Sequence, residues 1–368
     1  MSTRLILLGA GKIGEAILNL LSHTGDYLIT VVDANVQRLA QIDAMSYAGV
    51  TTRSADLADP ADPSHLAHLA QLIAGHDVTL SACPYFLTPA IARAAREAGS
   101  HYFDLTEDVA STRVVKDLAR DAATAFVPQC GLAPGFISIV ANDLAGRFDT
   151  LRDVRMRVGA LPIYPSNALK YNLTWSTDGL INEYCNSCEA IVDGQLRETS
   201  ALEEIEHFSL DGIDYEAFNT SGGLGSLCES LAGRVSNLNY KTVRYPGHRD
   251  IVKMLVRDLQ LGLPTRRHIL REVLEASIPM TRQDVVLVFV TVCGMRGGRL
   301  EQETYAKKIY SQIVNGRLLS AIELTTAAGI CAMVDLLLAG HLPQRGLVRQ
   351  EQASMAAFLE NRFGRHFA

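Results

Sequence analysis

The residues with the most legible chemistry stand at the start of the chain, where the apolar run 4–8 delivers Gly9-Ala10-Gly11-Lys12-Ile13-Gly14 and then a helical pattern. The spacing has a physical logic. Gly9 permits a tight turn, Gly11 lets a pyrophosphate approach the backbone, and Gly14 lets helix and strand pack closely, while the helix N-terminus meets the phosphates. A second apolar run, 28–32, ends in Asp33, about twenty residues beyond the glycines as the dinucleotide fingerprint requires. A carboxylate there accepts hydrogen bonds from ribose hydroxyls and repels a 2′-phosphate. The expected cofactor is therefore NAD, held by Gly9, Gly11, Lys12, Ile13, Gly14 and Asp33.

Further candidates fall where later strands should end. Cys83-Pro84-Tyr85 follows a strong apolar run, and a cis or tightly turned Pro84 would shape the cofactor pocket, with Ala82 and Pro84 on the cofactor and Tyr85 towards a substrate. Asp104 is expected at a strand end facing the cleft, placed to attract an ammonium group or accept a proton. Glu107 and Asp108 open the next helix, where acidic residues are favoured by the helix dipole whatever the function. In Tyr240-Lys241-Thr242-Val243-Arg244 a strand would put Tyr240, Thr242 and Arg244 on one face and Lys241 and Tyr245 on the other. The planar fork of Arg244 suits a carboxylate, and the lone Trp175 suits an apolar pocket wall. Cys185-x-x-Cys188 has the spacing of half a zinc site, but no second Cys or His pair stands at ligand spacing nearby, so no metal is expected.

To bring these residues together the chain must alternate strands and helices. Strands are expected at 4–8, 28–32, 50–53, 77–82, 101–105 and 125–127, with helices at 35–44, 63–74, 88–98 and 108–123. Such an alternation implies an α/β fold with a doubly wound parallel sheet of the Rossmann type, ligands lying beyond the carboxyl ends of its strands. After Cys130-Gly131-Leu132-Ala133-Pro134-Gly135 the alternation stops. A helix at 136–148, strands at 154–158, 240–245 and 285–293, the last paired with 303–310, and helices at 178–188 and 250–259 predict a second α+β domain on an open, mainly antiparallel sheet. The apolar helix 321–338 should return to pack against the first domain. The expected division is 1–130 joined by 321–368 for the cofactor, and 131–320 for substrate binding and dimerisation. Gly222-Gly223-Leu224-Gly225 is the one loop whose glycine content suggests local mobility.

Composition narrows the function classes. A chain of 368 residues with 48% hydrophobic residues suits two ordinary domains. Lys plus Arg number 34 against 40 Asp plus Glu, a formal net charge of -6, which argues against a nucleic-acid partner. The N-terminus enters a strand without a targeting pattern, so a soluble, cytoplasmic protein without a membrane partner is expected. Seven cysteines, mostly inside apolar segments, fit reduced thiols.

The segments Ser81-Ala-Cys-Pro-Tyr85, Ala98-Gly-Ser-His-Tyr-Phe-Asp-Leu-Thr-Glu-Asp108, Cys130-Gly-Leu-Ala-Pro-Gly135 and Tyr240-Lys-Thr-Val-Arg-Tyr-Pro-Gly-His248 together resemble the saccharopine dehydrogenase and lysine 6-dehydrogenase family. Leu169-Lys-Tyr-Asn-Leu-Thr-Trp-Ser176 and Ala217-Phe-Asn-Thr-Ser-Gly-Gly-Leu-Gly225 look most like the lysine 6-dehydrogenase branch. The resemblance implies NAD-dependent oxidation of the terminal amine of lysine to an aldehyde that cyclises, with release of ammonia. It places Asp104, Cys130 with Gly131, Trp175 and Arg244 around the substrate, with Tyr85, Thr220 and Tyr240 as further contacts. Asp104 is the first candidate for the base, Lys241 and His248 weaker ones, and Arg244 would hold the α-carboxylate. The rivals are a saccharopine or carboxynorspermidine dehydrogenase, for which Arg155, Arg157, Lys170 and Lys241 are available, and a non-catalytic NAD-binding sensor. A homodimer is expected.

Overall fold

The computed structural model describes residues 2–57 and 63–368. Its first half is built on strands β1 (Thr3–Leu8), β2 (Tyr27–Asp33), β3 (Val50–Ser54), β4 (Val78–Ser81), β5 (His101–Asp104) and β6 (Ala125–Val127). Between them run α1 (Lys12–Ser22), α2 (Val36–Ala44), α3 (Pro63–Ile73), α4 (Thr88–Ala98) and α5 (Val109–Ala119). The last four residues of β1, and β4 and β6, read as apolar or small runs because both faces of a parallel sheet are covered, and Leu5, Ile6, Leu7 and Leu8 are fully buried. The helices start and stop on local chemistry. Asn35 caps α2 by accepting from the Arg38 amide at 3.0 Å, Asp108 caps α5 by accepting from the Ser111 amide at 2.7 Å, and Gly99 ends α4 in the left-handed conformation.

The chain then crosses through α6 (Phe136–Ala145) into a second sheet: β7 (Thr150–Pro162), β8 (Cys188–Val192), β9 (Gln195–Thr199), β10 (Glu206–Leu210), β11 (Ile213–Asn219), β12 (Val235–Arg244), β13 (Asp284–Arg296) and β14 (Arg299–Tyr310). Its main path runs β10-β11-β12-β7-β13-β14, with β8 pairing to β12 and β9. The sheet is mixed, because β12 pairs β7 in parallel inside an otherwise antiparallel order. Strands β8 to β11 are not legible as strands in sequence: β9 is almost wholly exposed and β10 is nowhere fully buried, so no clean apolar alternation marks them. The expected helix 178–188 stops early. α7 covers Thr177–Cys185, and Cys188 opens β8 instead of ending the helix.

A small hairpin, β15 (Gln312–Val314) and β16 (Arg317–Leu319), leads into the long helix Ala321–Leu338. This helix is long and apolar enough to cross a membrane by length and composition, yet it lies in the protein interior, with Leu324, Ile330 and Met333 fully buried. It packs against α1, and each buried Leu or Ile contributes roughly 1.5–3 kcal/mol. Its N-terminus is tied to the second sheet, where the Asp284 carboxylate at the start of β13 accepts the Ala321 and Ile322 amides at 2.6 and 3.0 Å. Beyond it, β17 (Gly346–Leu347) adds in parallel to β6, so the first sheet has seven strands in the order β17-β6-β5-β4-β1-β2-β3. The order reverses between β1 and β4. That switch point opens a crevice at the carboxyl ends of these two strands, beside Gly9 and Ala82.

Candidate functional site

The crevice is a single cleft of about 620 Å³ running from the switch point to the face of β12. At its cofactor end the backbone is compressed in a way that only glycine tolerates. A Cβ on Gly14 would lie 2.0 Å from the Gly9 carbonyl oxygen, and one on Gly9, where φ is +95°, would lie 2.9 Å from the Ala82 carbonyl oxygen. A Cβ on Gly11 would meet nothing within 4 Å. Gly11 is also the N-cap of α1 and offers no side-chain cap, so the first-turn amides face open space. This cradle fits a pyrophosphate. Asp33 completes it: Oδ2 accepts from the Ala10 amide at 2.6 Å and Oδ1 from the Asn35 amide at 2.7 Å, which fixes the carboxylate at the end of β2.

Gly9, Gly11, Ile13, Asp33, Ala82 and Pro84 line the cleft. Gly14 does not line it and acts through packing, and Lys12 does not line it either, its Nζ lying 2.8 Å from Met280 Sδ. Pro84 is not cis. It precedes the short turn Tyr85–Leu87, and the one cis bond among the described residues is Ala133–Pro134.

At the other end Tyr240, Thr242 and Arg244 line the cleft together, as alternation along β12 predicts, with Tyr85, Gly131 and Trp175 opposite and above. Trp175 packs so closely on α7 that a Cβ at Gly179 would fall 2.4 Å from its ring. Gly223 is needed for a similar reason, since a Cβ there would fall 2.2 Å from the Tyr240 ring. The glycines of this loop serve close packing. Arg244 is 3% exposed and lies 4.9 Å over the Tyr171 ring, with Nε donating to the Tyr184 hydroxyl at 3.1 Å and Nη1 to the Val243 carbonyl at 2.9 Å. Burial opposes its charge, but Tyr184, Tyr171 and Glu183 hold it protonated.

Five residues expected at the site stand behind its lining. Asp104 does not face the cleft: it is 1% exposed, and Oδ1 accepts from the Thr106 and Gln129 amides at 3.0 and 2.9 Å, so it braces two loops. Burial raises its carboxyl to about 6. Cys130 is buried with Sγ donating to the Val127 carbonyl at 2.9 Å, and burial pushes its thiol well up, so Gly131 alone of the pair reaches the cleft. Thr220 sits behind Thr242, their hydroxyls 2.7 Å apart. Lys241 points to the opposite face of β12, where its Nζ meets Glu206 at 2.7 Å, so it is no base for this cleft. His248 is buried outside the cleft, between the Leu169 carbonyl at 2.9 Å and the Tyr184 hydroxyl at 3.0 Å. Burial and the nearby Arg244 charge lower it to about 3, so it is neutral.

Two acids that sequence reasoning missed do line the cleft. Glu107 follows β5 and reaches beside Trp175, with Oε1 2.9 Å from the position of a Gly179 Cβ, while the helix-capping role falls to Asp108 alone. Burial raises Glu107 to about 7. Glu183, on the buried face of α7, is 7% exposed. Burial raises it to about 8, opposed by Arg244 and reinforced by Glu107, so the three charges sense one another. A helix-dipole reading hid the first, and a helical pattern with no strand end to mark it hid the second.

Comparison with known proteins agrees with this architecture. A family model described as the saccharopine dehydrogenase NADP binding domain matches residues 5–128, and one described as the saccharopine dehydrogenase C-terminal domain matches 131–363. Among curated relatives, alpha-aminoadipic semialdehyde synthase of Rattus norvegicus is 21% identical over 290 residues, covering 72% of this chain and 29% of that protein. The Saccharomyces cerevisiae saccharopine dehydrogenase [NADP(+), L-glutamate-forming] is 23% identical over 272 residues, covering 70% of this chain and 58% of that protein. The chain thus matches well under two thirds of either relative's length. The solved apo saccharopine dehydrogenase from Saccharomyces cerevisiae shares the fold, with a TM-score of 0.76 over 98% of this chain and 97% of that one at 18% identity. With both family models matched in sequence over nearly all of its length, the chain belongs to the saccharopine dehydrogenase family.

Proposed function

We propose that this protein is an amino-acid dehydrogenase that uses NAD to oxidise the terminal amine of L-lysine, releasing ammonia and an aldehyde that cyclises. The observation that carries the substrate class is the charge of the cleft. Among its described lining residues Arg244 is the one Lys or Arg, against the acids Asp33, Asp56, Glu107, Asp178 and Glu183; Asp33 is fixed by the Ala10 and Asn35 amides and Asp178 meets Arg271, while Glu183 senses both Glu107 and Arg244. Saccharopine, with three carboxylates, would want several convergent cations. The other cations available in sequence are engaged elsewhere: Arg157 and Lys241 on Glu206, Lys170 on the Pro246 carbonyl, and Arg155 against Asp153. Lysine carries two amines and one carboxylate, which suits an acid-rich cleft with a single guanidinium.

Asp33 supports NAD, because its fixed carboxylate leaves a 2′-phosphate facing a negative charge. When bound, the nicotinamide supplies the hydride acceptor. Arg244 holds the α-carboxylate and so sets which end of the substrate reaches the switch point. Glu107 takes a proton from the terminal ammonium, since only the neutral amine can release hydride from its carbon, and, once that proton has passed to solvent, accepts one from the water that adds to the iminium carbon before ammonia leaves. Trp175 and Tyr85 wall the reacting end against bulk water. A screen for NADH formation with lysine, ornithine, cadaverine and saccharopine tests this reading. Turnover of saccharopine with none of lysine would overturn it and favour the secondary-amine dehydrogenase.

A further inference from the structure

Among the described residues every buried carboxyl but that of Glu183 accepts at least one hydrogen bond from the protein. Glu216 accepts the Gly247 and Arg249 amides, Glu351 accepts the Ser226 hydroxyl, Glu323 caps its own helix, and Asp284 holds the start of the helix 321–338. Glu183 is as buried a residue, at 7% exposure, but among the described residues no group donates a hydrogen bond to its carboxylate, whose oxygens open onto the cleft instead. It also makes no ion pair with Arg244, although the two sense each other's charge across the same cleft. A carboxylate in a confined cleft with no partner in the protein is placed to take a cationic donor from a ligand. Arg244 is similarly open: its Nε and Nη1 are used within the protein, and the guanidinium edge on the cleft is left for a ligand.

We infer that Glu183 recognises the α-ammonium group of the substrate and forms, with Arg244, a clamp for the zwitterionic end of an amino acid. An acid and a guanidinium that line one cleft and sense each other's charge, neither ion-paired within the protein, are what adjacent ammonium and carboxylate groups require. A substrate lacking the α-amino group would leave Glu183 buried and unsatisfied, so the clamp rejects ω-amino acids and diamines and selects for a free α-amino acid. The assignment rests on the proposed amine oxidation for its kinetic readout, but not for its binding readout.

The experiment compares lysine with 6-aminohexanoate, which keeps the carboxylate and terminal amine and lacks the α-amine, on the full chain and on Glu183→Gln. Gln is nearly isosteric and the carboxyl of Glu183 holds no partner in the protein, so a melting temperature close to wild type is expected. Wild type should prefer lysine by at least about 100-fold in kcat/KM. In Glu183→Gln the KM for lysine should rise about 10- to 100-fold with kcat within about threefold, while the parameters for 6-aminohexanoate stay put and the preference collapses. An unchanged KM for lysine, or an equal loss for both compounds, overturns the clamp. If wild type oxidises no amine, the proposed reaction fails by itself, and calorimetric binding of lysine in the presence of NADH then decides the clamp: lysine binding by wild type and at least tenfold weaker binding by the variant supports it, and equal or absent binding overturns it.

Discussion

The Tyr184 hydroxyl accepts from Arg244 Nε at 3.1 Å and thereby joins the substrate-facing guanidinium to His248, whose Nε2 is 3.0 Å away on the far side of the same oxygen. Because the Leu169 carbonyl 2.9 Å away can only accept, His248 Nδ1 carries the proton, its neutral Nε2 accepts, and the Tyr184 hydroxyl donates to it. The neutral imidazole thus orients a tyrosine that orients an arginine. Tyr184→Phe should raise the KM for lysine on the order of tenfold, since a hydrogen bond to a charged group is worth roughly 1.5–3 kcal/mol, while kcat changes little. Steady-state kinetics check it, and an equal fall in kcat and kcat/KM would place Tyr184 in the chemical step instead.

The glycine turn separates folding from binding. Gly14→Ala puts a Cβ 2.0 Å from a backbone oxygen and should destabilise the protein by more than about 3 kcal/mol. Gly11→Ala meets open space in the protein and should melt like wild type, yet its methyl occupies the ground where the pyrophosphate approaches. NADH binding should weaken at least about tenfold without a change in melting temperature, as read by fluorescence titration beside thermal unfolding.

These contrasts explain what was legible in the sequence. Gly9, Gly11, Gly14 and Asp33 were readable because their chemistry is local: turn, helix start and strand end lie within one stretch of chain. Alternation along β12 placed Tyr240 and Arg244 correctly, because a strand's two faces follow from its period. Asp104, Cys130 and Thr220 were misjudged by one layer of depth, since a strand end says which edge of the sheet a residue occupies and not whether its side chain turns up to the cleft or down to brace a neighbouring loop. Glu183 was invisible because nothing in its helix distinguishes the face that opens on the cleft shared with Arg244, a residue sixty-one positions away.

Asp33 should decide the cofactor. Wild type is expected to prefer NAD over NADP, and Asp33→Ser, which removes the charge facing the ribose, should shift the ratio of kcat/KM values towards NADP by on the order of 100-fold. A wild-type preference for NADP would refute the reading of Asp33 at once.

Asp104 makes a stability prediction whose sign follows from its burial. Its folded carboxyl lies at about 6, above the usual unfolded value near 4. Below pH ~4 it is protonated in both states and costs nothing. As pH rises from ~4 to ~6 the unfolded chain ionises first, so this residue lowers stability through that window, by on the order of 2–3 kcal/mol once both states are ionised. Asp104→Asn has no such titration, so the stability of wild type relative to the variant should fall between pH 4 and 6, measured by urea unfolding at several pH values. A flat difference would mean that the two amides holding Oδ1 keep the carboxylate ionised throughout.

Glu107 gives the last prediction, and it concerns the chemical step. Burial lifts it to about 7, so in the free enzyme it passes from acid to carboxylate within the working range. A base must be ionised before it can take the proton from the terminal ammonium. The kcat/KM for lysine should therefore fall through two acidic ionisations, that of Glu183 at about 8, which the clamp needs as a carboxylate, and that of Glu107 at about 7, and level off only above the higher of them. Glu107→Gln should lower kcat by about 10²-fold or more and abolish the ionisation at about 7 while leaving the one at about 8, and the KM for lysine should move far less than in Glu183→Gln, because the α-end clamp is intact. If the ionisation at about 7 survives the substitution, the base is another group.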